Sequence, residues 1–257
     1  MPGTPYSKRM LKAALNGPRT PADHPGVPVT PAQLAQAARA AVAAGADALH
    51  LHPRAADGKE SLQPDDVAQA LTAVREACPG VALGVSSGFW ILRDAGARAT
   101  AIRAWTVTPD FVSVNWHEPH SPELAALLLD RGIGVEAGLW TADAVRTFLE
   151  WPRRREVLRV LLELPDQPVR AYRAELLGML ALLNAADLDK PTVLHGLGQS
   201  AWPVLREAGR RGLGTRTGLE DTLTLPGDLP ASDNAELVRV AREILGLGPL
   251  HPSPGRC

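Results

Sequence analysis

The sequence has few cysteines and no excess of charge of either sign. Cys78 and Cys257 are too few for a disulfide framework, and neither lies in a CxxC or zinc-ribbon spacing. The 27 lysines and arginines nearly balance the 28 aspartates and glutamates, which leaves a net charge of -1. Without a positive field, we expect neither nucleic acid nor an anionic membrane surface as a partner.

Long uninterrupted apolar runs are also lacking. The most apolar stretch, Ala35 to Leu51, carries polar and charged residues throughout and is unsuitable as a membrane span. The first residues lack the apolar core of a secretory signal, so we expect a cytoplasmic protein. No low-complexity tract divides the chain, and we predict one catalytic domain over residues 1–248 with a flexible tail at 249–257.

What the sequence does contain is a repeated strand–helix rhythm. Short apolar runs recur about every thirty residues, each followed by a turn and an Ala/Leu-rich amphipathic segment. Helix-start signals lie at Thr30-Pro31 with Gln33, at Ser121-Pro122 and at Asp233 with Glu236. The pattern predicts the α/β class, specifically a (β/α)8 TIM barrel. The eight predicted strands are Leu11–Gly17, Ala48–Arg54, Ala82–Gly88, Phe111–His117, Gly134–Trp140, Val157–Leu164, Thr192–Gly198 and Gly214–Asp221.

The sharpest local feature is His50-Leu51-His52 near the end of the second predicted strand. Strand side chains alternate, so residues two apart face the same way and both imidazoles can meet one ion. The alternative is a pair of hydrogen-bonded core or loop histidines. A buried polar pair on an apolar strand is costly without a partner, and a metal ion would supply one.

The eighth predicted strand carries the matching acidic group. By the same alternation Arg216, Gly218 and Glu220 share a face, and in a closed barrel strand eight lies one strand away from strand two. Glu220 can therefore complete a two-histidine, one-carboxylate set with open coordination positions. The alternative is a structural Arg216–Glu220 ion pair with Asp221 as a helix cap.

Other polar residues fall near the same ends of the strands or inside them. Asn16 could instead shape a turn, and His195 could be a packed core histidine. Glu136 and Glu163 lie within strand runs, where each could bind substrate or pair with Arg159. The residues predicted to contact substrate are Asn16, Ser86, Ser87, Asn115, His117, Glu136, His195 and Gly196.

With these residues in view, the chain resembles the β-keto acid cleavage enzymes, the family of the 3-keto-5-aminohexanoate cleavage enzyme. The two-histidine strand and the Arg-x-x-x-Glu-Asp strand are together specific to it. The chain departs from the family at Asn115–Pro119 and at Glu163–Asp166, which leaves the substrate undefined. The motifs that carry the resemblance are Leu15–Gly17, Pro28–Pro31, Ala44–Arg54 with Asp57-Gly58, Leu194–Gly196, Arg216–Asp221 and Asn234–Val238.

The resemblance implies a divalent metal, zinc above all, on His50, His52 and Glu220, with Asp221 as the catalytic base and Arg216 orienting it. It also implies that a β-keto acid condenses with acetyl-CoA and that a retro-Claisen step releases acetoacetate and a new acyl-CoA. Family members form homotetramers, and we expect the same assembly here. Two other functions stay open: a metal-dependent hydrolase of the amidohydrolase type, and a non-catalytic metal-containing barrel that binds small molecules.

Overall fold

The computed structural model describes residues 10–248, in which eight parallel strands alternate with eight α-helices. The predicted (β/α)8 barrel is confirmed. The strands are β1 Leu11–Ala14, β2 Ala48–Leu51, β3 Ala82–Ser86, β4 Phe111–Asn115, β5 Gly134–Leu139, β6 Arg159–Leu164, β7 Thr192–Gly196 and β8 Thr215–Thr217. The helices are α1 Pro31–Ala43, α2 Pro64–Ala77, α3 Ala95–Arg103, α4 Ser121–Asp130, α5 Ala142–Glu150, α6 Val169–Ala185, α7 Ala201–Arg211 and α8 Asn234–Ile244. The predicted tail at 249–257 lies outside the described residues.

The strands are ordered β7-β6-β5-β4-β3-β2-β1-β8, and the two ends of this sheet meet. A parallel bridge joins Val193 to Gly214, and the hydroxyl of Thr215 donates to the carbonyl of Leu194 at 2.7 Å. The sheet thus curls into a barrel, and β8 is separated from β2 by β1 alone.

Local signals in the sequence set the helix starts. Thr30 and Gln33 form a reciprocal capping box at α1, with Pro31 in the first turn. Asp233 accepts the amide of Glu236 at the start of α8. At α4 the helix begins at Ser121 itself, so His120 occupies the cap position and no side chain caps the helix. Among the described helices, none has the length and apolarity needed to cross a bilayer.

The main apolar core lies between the sheet and the surrounding helices, where residues such as Leu49, Leu51 and Val85 are fully buried. A second, small cluster consists of Met10, Ala48, Leu161 and Val193. Ala48 precedes His50 by two residues, so this cluster lies on the inner faces of the strands. It fills the barrel below the histidines.

A buried ionic cluster occupies the inner layer near the start of the strands. The carboxylate of Glu136 bonds the ammonium of Lys12 with one oxygen and the guanidinium of Arg159 with the other. Both cations lie over the ring of Phe111, and the bare Cα of Gly84 leaves room for that ring. Although burial opposes ionisation, Arg159 and Lys12 hold the pKa of Glu136 below its usual range. Both carboxylate oxygens of Glu136 therefore bond cations inside the barrel.

Candidate active site

Three side chains converge at the carboxyl end of the barrel. His50 projects from β2, His52 follows the same strand, and Glu220 follows β8. The two Nε2 atoms are 3.2 Å apart, and Oε2 of Glu220 lies 3.7 Å from Nε2 of His50 and 3.6 Å from that of His52. Within residues 10–248 these three form the group of donors able to share one metal ion.

The donor set fits a divalent cation. Two ligands about 2.0–2.1 Å from one ion at a tetrahedral angle lie roughly 3.3 Å apart, which is close to the separations seen here. Oε2 of Glu220 is buried and has no hydrogen-bond partner in the part of the chain that the structure describes, and only one proton can lie between the two facing imidazole nitrogens. A shared cation would satisfy all three atoms at once, which agrees with the predicted ligand set.

Electrostatics favour the protonation states that a metal needs at His50 and Glu220, but not at His52. Burial lowers the pKa of His50 well below its ordinary value, so this imidazole is neutral. Although burial opposes ionisation of Glu220, Arg216 and the two histidines hold the pKa of its carboxyl well below the usual range. Burial also works against protonation of His52, but Glu220 and Glu60 outweigh it and raise the pKa of His52 to about 9. A bound cation would replace that proton.

A shell of polar contacts fixes His52. The amide side chain of Asn16 accepts the backbone N–H of His52 at 2.9 Å and donates to its carbonyl at 2.9 Å. The carboxylate of Glu60 bonds Nδ1 of His52 and accepts the indole N–H of Trp90 at 3.0 Å. Trp90 also stacks on the imidazole of His52. Asn16, predicted to contact substrate, therefore acts in the structure on a metal-ligand candidate.

Sequence reasoning missed Glu60 and Trp90. Glu60 lies on a return loop paired with Arg54, and Trp90 lies on the loop after β3. Neither residue has a strand or helix spacing that links it to His52. The only sequence signal was the turn at Asp57-Gly58, which reverses the chain toward the histidines.

Two glycines make room for the carboxylate. A Cβ at Gly17 would lie 2.3 Å from Cγ of Glu220, and its φ of +55° disfavours other residues as well. A Cβ at Gly218 would lie 2.0 Å from the carbonyl oxygen of Ala14. The loop after β8 can therefore pass close to β1 and deliver Glu220 to the histidines.

Arg216 links Glu220 to Asp221. Its Nη2 donates to Oε1 of Glu220 at 2.8 Å and to Oδ1 of Asp221 at 2.6 Å. Its Nε lies 3.2 Å from each oxygen of Asp221. Arg216 thus leaves Oε2 of Glu220 free to face the histidines, and it holds Asp221 on its far side.

A cavity of about 460 Å³ opens above these residues. Of the predicted substrate contacts, Ser86 and Asn115 line it, as do His50, His52, Arg216 and Glu220 from the predicted metal and catalytic set. Glu163 also lines the cavity, whereas Glu136, which is bonded to Lys12 and Arg159, does not. The other lining residues are Pro18, Arg19, Asp23, Trp90, Ser113, Trp140, Asp166, Leu197 and Gly198.

The other predicted contacts do not line this cavity. Ser87 is buried and donates to the carbonyl of Ser113, and a Cβ at Gly196 would collide with the hydroxyl of Ser200. His117 is exposed against the ring of Trp140. The predicted site residues that do not line the cavity are Asn16, Ser87, His117, Glu136, His195, Gly196 and the predicted base Asp221.

Comparison with known proteins identifies a family for this chain. Residues 8–248 match the beta-keto acid cleavage enzyme family. The 3-keto-5-aminohexanoate cleavage enzyme of Fusobacterium nucleatum is 23% identical over 261 residues, covering 92% of this chain and 92% of the relative. The 3-oxoadipate:acetyl-CoA acetyltransferase of Cupriavidus necator is 39% identical over 66 residues, covering 26% of this chain and 23% of the relative.

Among solved structures, ObcA shares the fold. Its ternary complex with a C4-CoA adduct and oxalate superposes with a TM-score of 0.69 at 19% identity, over 87% of this chain and 64% of ObcA. Its complex with oxaloacetate gives a TM-score of 0.68 at 19% identity, over 85% of this chain and 63% of ObcA. This chain therefore spans a little under two thirds of ObcA.

Proposed function

We propose that this chain, which belongs to the beta-keto acid cleavage enzyme family, uses a bound metal and acetyl-CoA to convert a β-keto acid into acetoacetate and a new acyl-CoA. The observation that carries the proposal is the cluster of His50, His52 and Glu220 at the floor of the cavity. The names of two relatives, a 3-keto-5-aminohexanoate cleavage enzyme and a 3-oxoadipate:acetyl-CoA acetyltransferase, support the reaction class. The C4-CoA adduct described for ObcA supports the use of CoA by this fold.

His50, His52 and Glu220 would hold the metal, and two imidazoles with one carboxylate suit zinc. When bound, the metal would supply a positive charge that stabilises the negative charge developing beside the ketone as the carbon–carbon bond is made and broken. Arg216 keeps Glu220 ionised and oriented, since its guanidinium bonds one oxygen of that carboxylate. Ser86 and Asn115 line the same cavity and offer hydrogen bonds to the oxygens of the substrate.

The reaction needs a group that removes a proton from the carbon between the ketone and the carboxylate. Asp221 stays the predicted base, and Arg216 stays the residue that orients it. Asp221 is 1% exposed, and its Oδ1 lies 3.6 Å from Nδ1 of His195. Asp221 acts on the cavity only through that imidazole, because Nε2 of His195 lies 3.1 Å from Oε2 of the cavity-lining Glu163.

Two further parts of the proposal concern the protein in the cell. We expect a homotetramer, as the family resemblance implies, and a cytoplasmic location. Mass photometry of the purified chain tests the assembly directly.

The proposed reaction predicts acyl-CoA formation from a panel of β-keto acids incubated with acetyl-CoA and the zinc-loaded protein. We expect acetoacetate and one new acyl-CoA in equal amounts, measured by liquid chromatography with mass detection. Removal of the metal with a chelator should abolish both products, and added zinc should restore them. A metal-dependent hydrolase or a non-catalytic barrel would yield no acyl-CoA from any member of the panel, and that result would reject the proposal.

Loss of the Glu60 carboxylate is expected to weaken zinc binding without removing a ligand. Glu60 orients His52 and makes it a stronger ligand, so Glu60→Ala should lower zinc affinity about 10–100-fold, with Glu60→Gln in between. Competition with a chromophoric chelator measures the affinity, and the exposed Glu243→Gln provides a matched control. If Glu60→Ala binds zinc as tightly as this control, Glu60 has no role in the metal site.

A further inference from the structure

Glu163 is a buried carboxylate that lines the cavity from β6. It is 5% exposed, and its Oε2 lies 3.1 Å from Nε2 of His195 on β7. The ionic cluster around Glu136 lies lower in the barrel, since Glu136 pairs in register with Arg159, four residues before Glu163 on the same strand. Glu163 thus lies nearer the mouth than Glu136, and among residues 10–248 no lysine or arginine is bonded to it.

The barrel keeps space open around this carboxylate. A Cβ at Gly138 would lie 2.7 Å from Oε1 of Glu163 and 2.6 Å from Oδ1 of Asn115. The absence of a side chain at Gly138 therefore lets both oxygens occupy the inner surface of β5. Asn115 is steadied by Trp140 and Glu118, which bond its amide at 3.3 Å and 2.9 Å.

Asp221 and Glu163 lie on opposite sides of one imidazole. Nδ1 of His195 faces Asp221 at 3.6 Å, and Nε2 faces Glu163 at 3.1 Å. Asp221 is held by Arg216 and has no place on the cavity wall, whereas Glu163 does. Of these two carboxylates, it is therefore Glu163 that can meet a substrate directly.

We propose that Glu163 exchanges the proton with the substrate carbon, with His195, which lies between Glu163 and Asp221, as the positioning residue; this rests on the proposed function. In the forward step the C–H bond between ketone and carboxylate breaks, its electron pair enters the enolate, and an O–H bond forms on Glu163. After carbon–carbon cleavage the enolate of acetoacetate takes the proton back from Glu163. No oxidant or further reactant is consumed.

The charges around Glu163 suit such a role. Burial raises its pKa to about 7, with Glu220 and Glu136 adding to the rise while Arg216 and Lys12 oppose it. Burial and Arg216 lower the pKa of His195 to about 3, so this imidazole is neutral and can accept a hydrogen bond from a protonated Glu163. A group with a pKa near neutrality is effective both as base and as acid.

The test is hydrogen–deuterium exchange at the acidic carbon of acetoacetate and of 3-oxoadipate, followed by NMR in D2O with zinc-loaded protein and no acetyl-CoA. Glu163→Gln keeps the size of the side chain but cannot take the proton. We expect it to lose about 10²–10⁴-fold of the enzyme-catalysed exchange rate with unchanged zinc content, and a loss under about tenfold would overturn the proposal. The exposed Glu156→Gln serves as the matched control.

A second variant keeps the test decisive if Glu163→Gln folds poorly. Glu163→Ala leaves a space that formate can enter, so saturable recovery of exchange by formate supports proton transfer, and no recovery overturns it. Absence of exchange in the unmodified protein would remove the proposed function and this inference together. Exchange that persists in both Glu163 variants would remove this inference alone.

Discussion

His50→Ala and His52→Ala are each expected to leave the purified protein without its metal and without turnover. Each change removes one of three donors, and the remaining pair includes Glu220, whose buried Oε2 has no hydrogen-bond partner within the described residues. Unmodified protein should carry roughly one divalent metal per chain, measured by inductively coupled plasma mass spectrometry, and the variants close to none.

Thermal unfolding gives an independent measure of the same loss. A ligand at 1,000 times its dissociation constant stabilises the folded state by about 4 kcal/mol, which in a chain of this size corresponds to a midpoint increase on the order of 10 °C. Added zinc should raise the midpoint of the unmodified protein and leave both variants unchanged.

His120→Asn is the matched control for these variants. His120 is exposed at the start of α4 with a φ of 60°, which asparagine tolerates, and it lies outside the cavity wall. Its metal content and midpoint increase should equal those of the unmodified protein. Full metal retention in both His50→Ala and His52→Ala would mean that the cation binds elsewhere or not at all.

The fold followed from the sequence because each strand combines an apolar run with a flanking turn. All eight predicted strands contain an observed strand, but in every case except β6 the predicted strand runs too far at the mouth of the barrel. The strand β2 ends at Leu51 rather than Arg54 because the side chain of Asn16 accepts the amide of His52, where a neighbouring strand would otherwise pair. The two residues are 36 positions apart in the sequence, so no local sequence pattern predicts this contact.

The three predicted metal ligands converge in the structure, but not through the predicted local geometry. Strand alternation was expected to carry Arg216, Gly218 and Glu220 on one face, yet β8 ends at Thr217. Glu220 reaches the histidines through a turn in which the amide of Asp221 bonds the carbonyl of Gly218 at 2.9 Å. The glycine that permits this close approach to β1 is visible in the sequence, whereas the direction of the turn is not.

Spacing could not separate Glu136 from Glu163, since both face inward from strand runs. The difference is height in the barrel: Glu136 pairs in register with Arg159, and Glu163 with His195. Register between strands decides which layer a residue occupies, and only the folded sheet fixes it. Lys12, which completes the Glu136 cluster, is likewise an unremarkable residue in the sequence.

Asp221→Asn is expected to retain the metal and to lose about 10²–10⁴-fold of the rate of acetoacetate formation from a β-keto acid and acetyl-CoA. Asparagine has nearly the same shape and can still accept from Arg216 through its oxygen. It removes the negative charge that faces Nδ1 of His195 at 3.6 Å, a charge that favours the tautomer whose Nε2 can accept a hydrogen bond from protonated Glu163. The three ligands are untouched, so zinc content should stay at the level of the unmodified protein.

Because Arg216 would lose one of its two anionic partners, Asp221→Asn should also unfold at a lower temperature, and the rates must be compared well below its midpoint. The exposed Asp228→Asn, at a φ of 61°, is the matched control and should match the unmodified protein in both measurements. Turnover of Asp221→Asn within about threefold of that control would show that Asp221 is not the base, since a general base is worth far more than that factor. Its remaining role would then be to hold Arg216, and Arg216 in turn the carboxylate of Glu220.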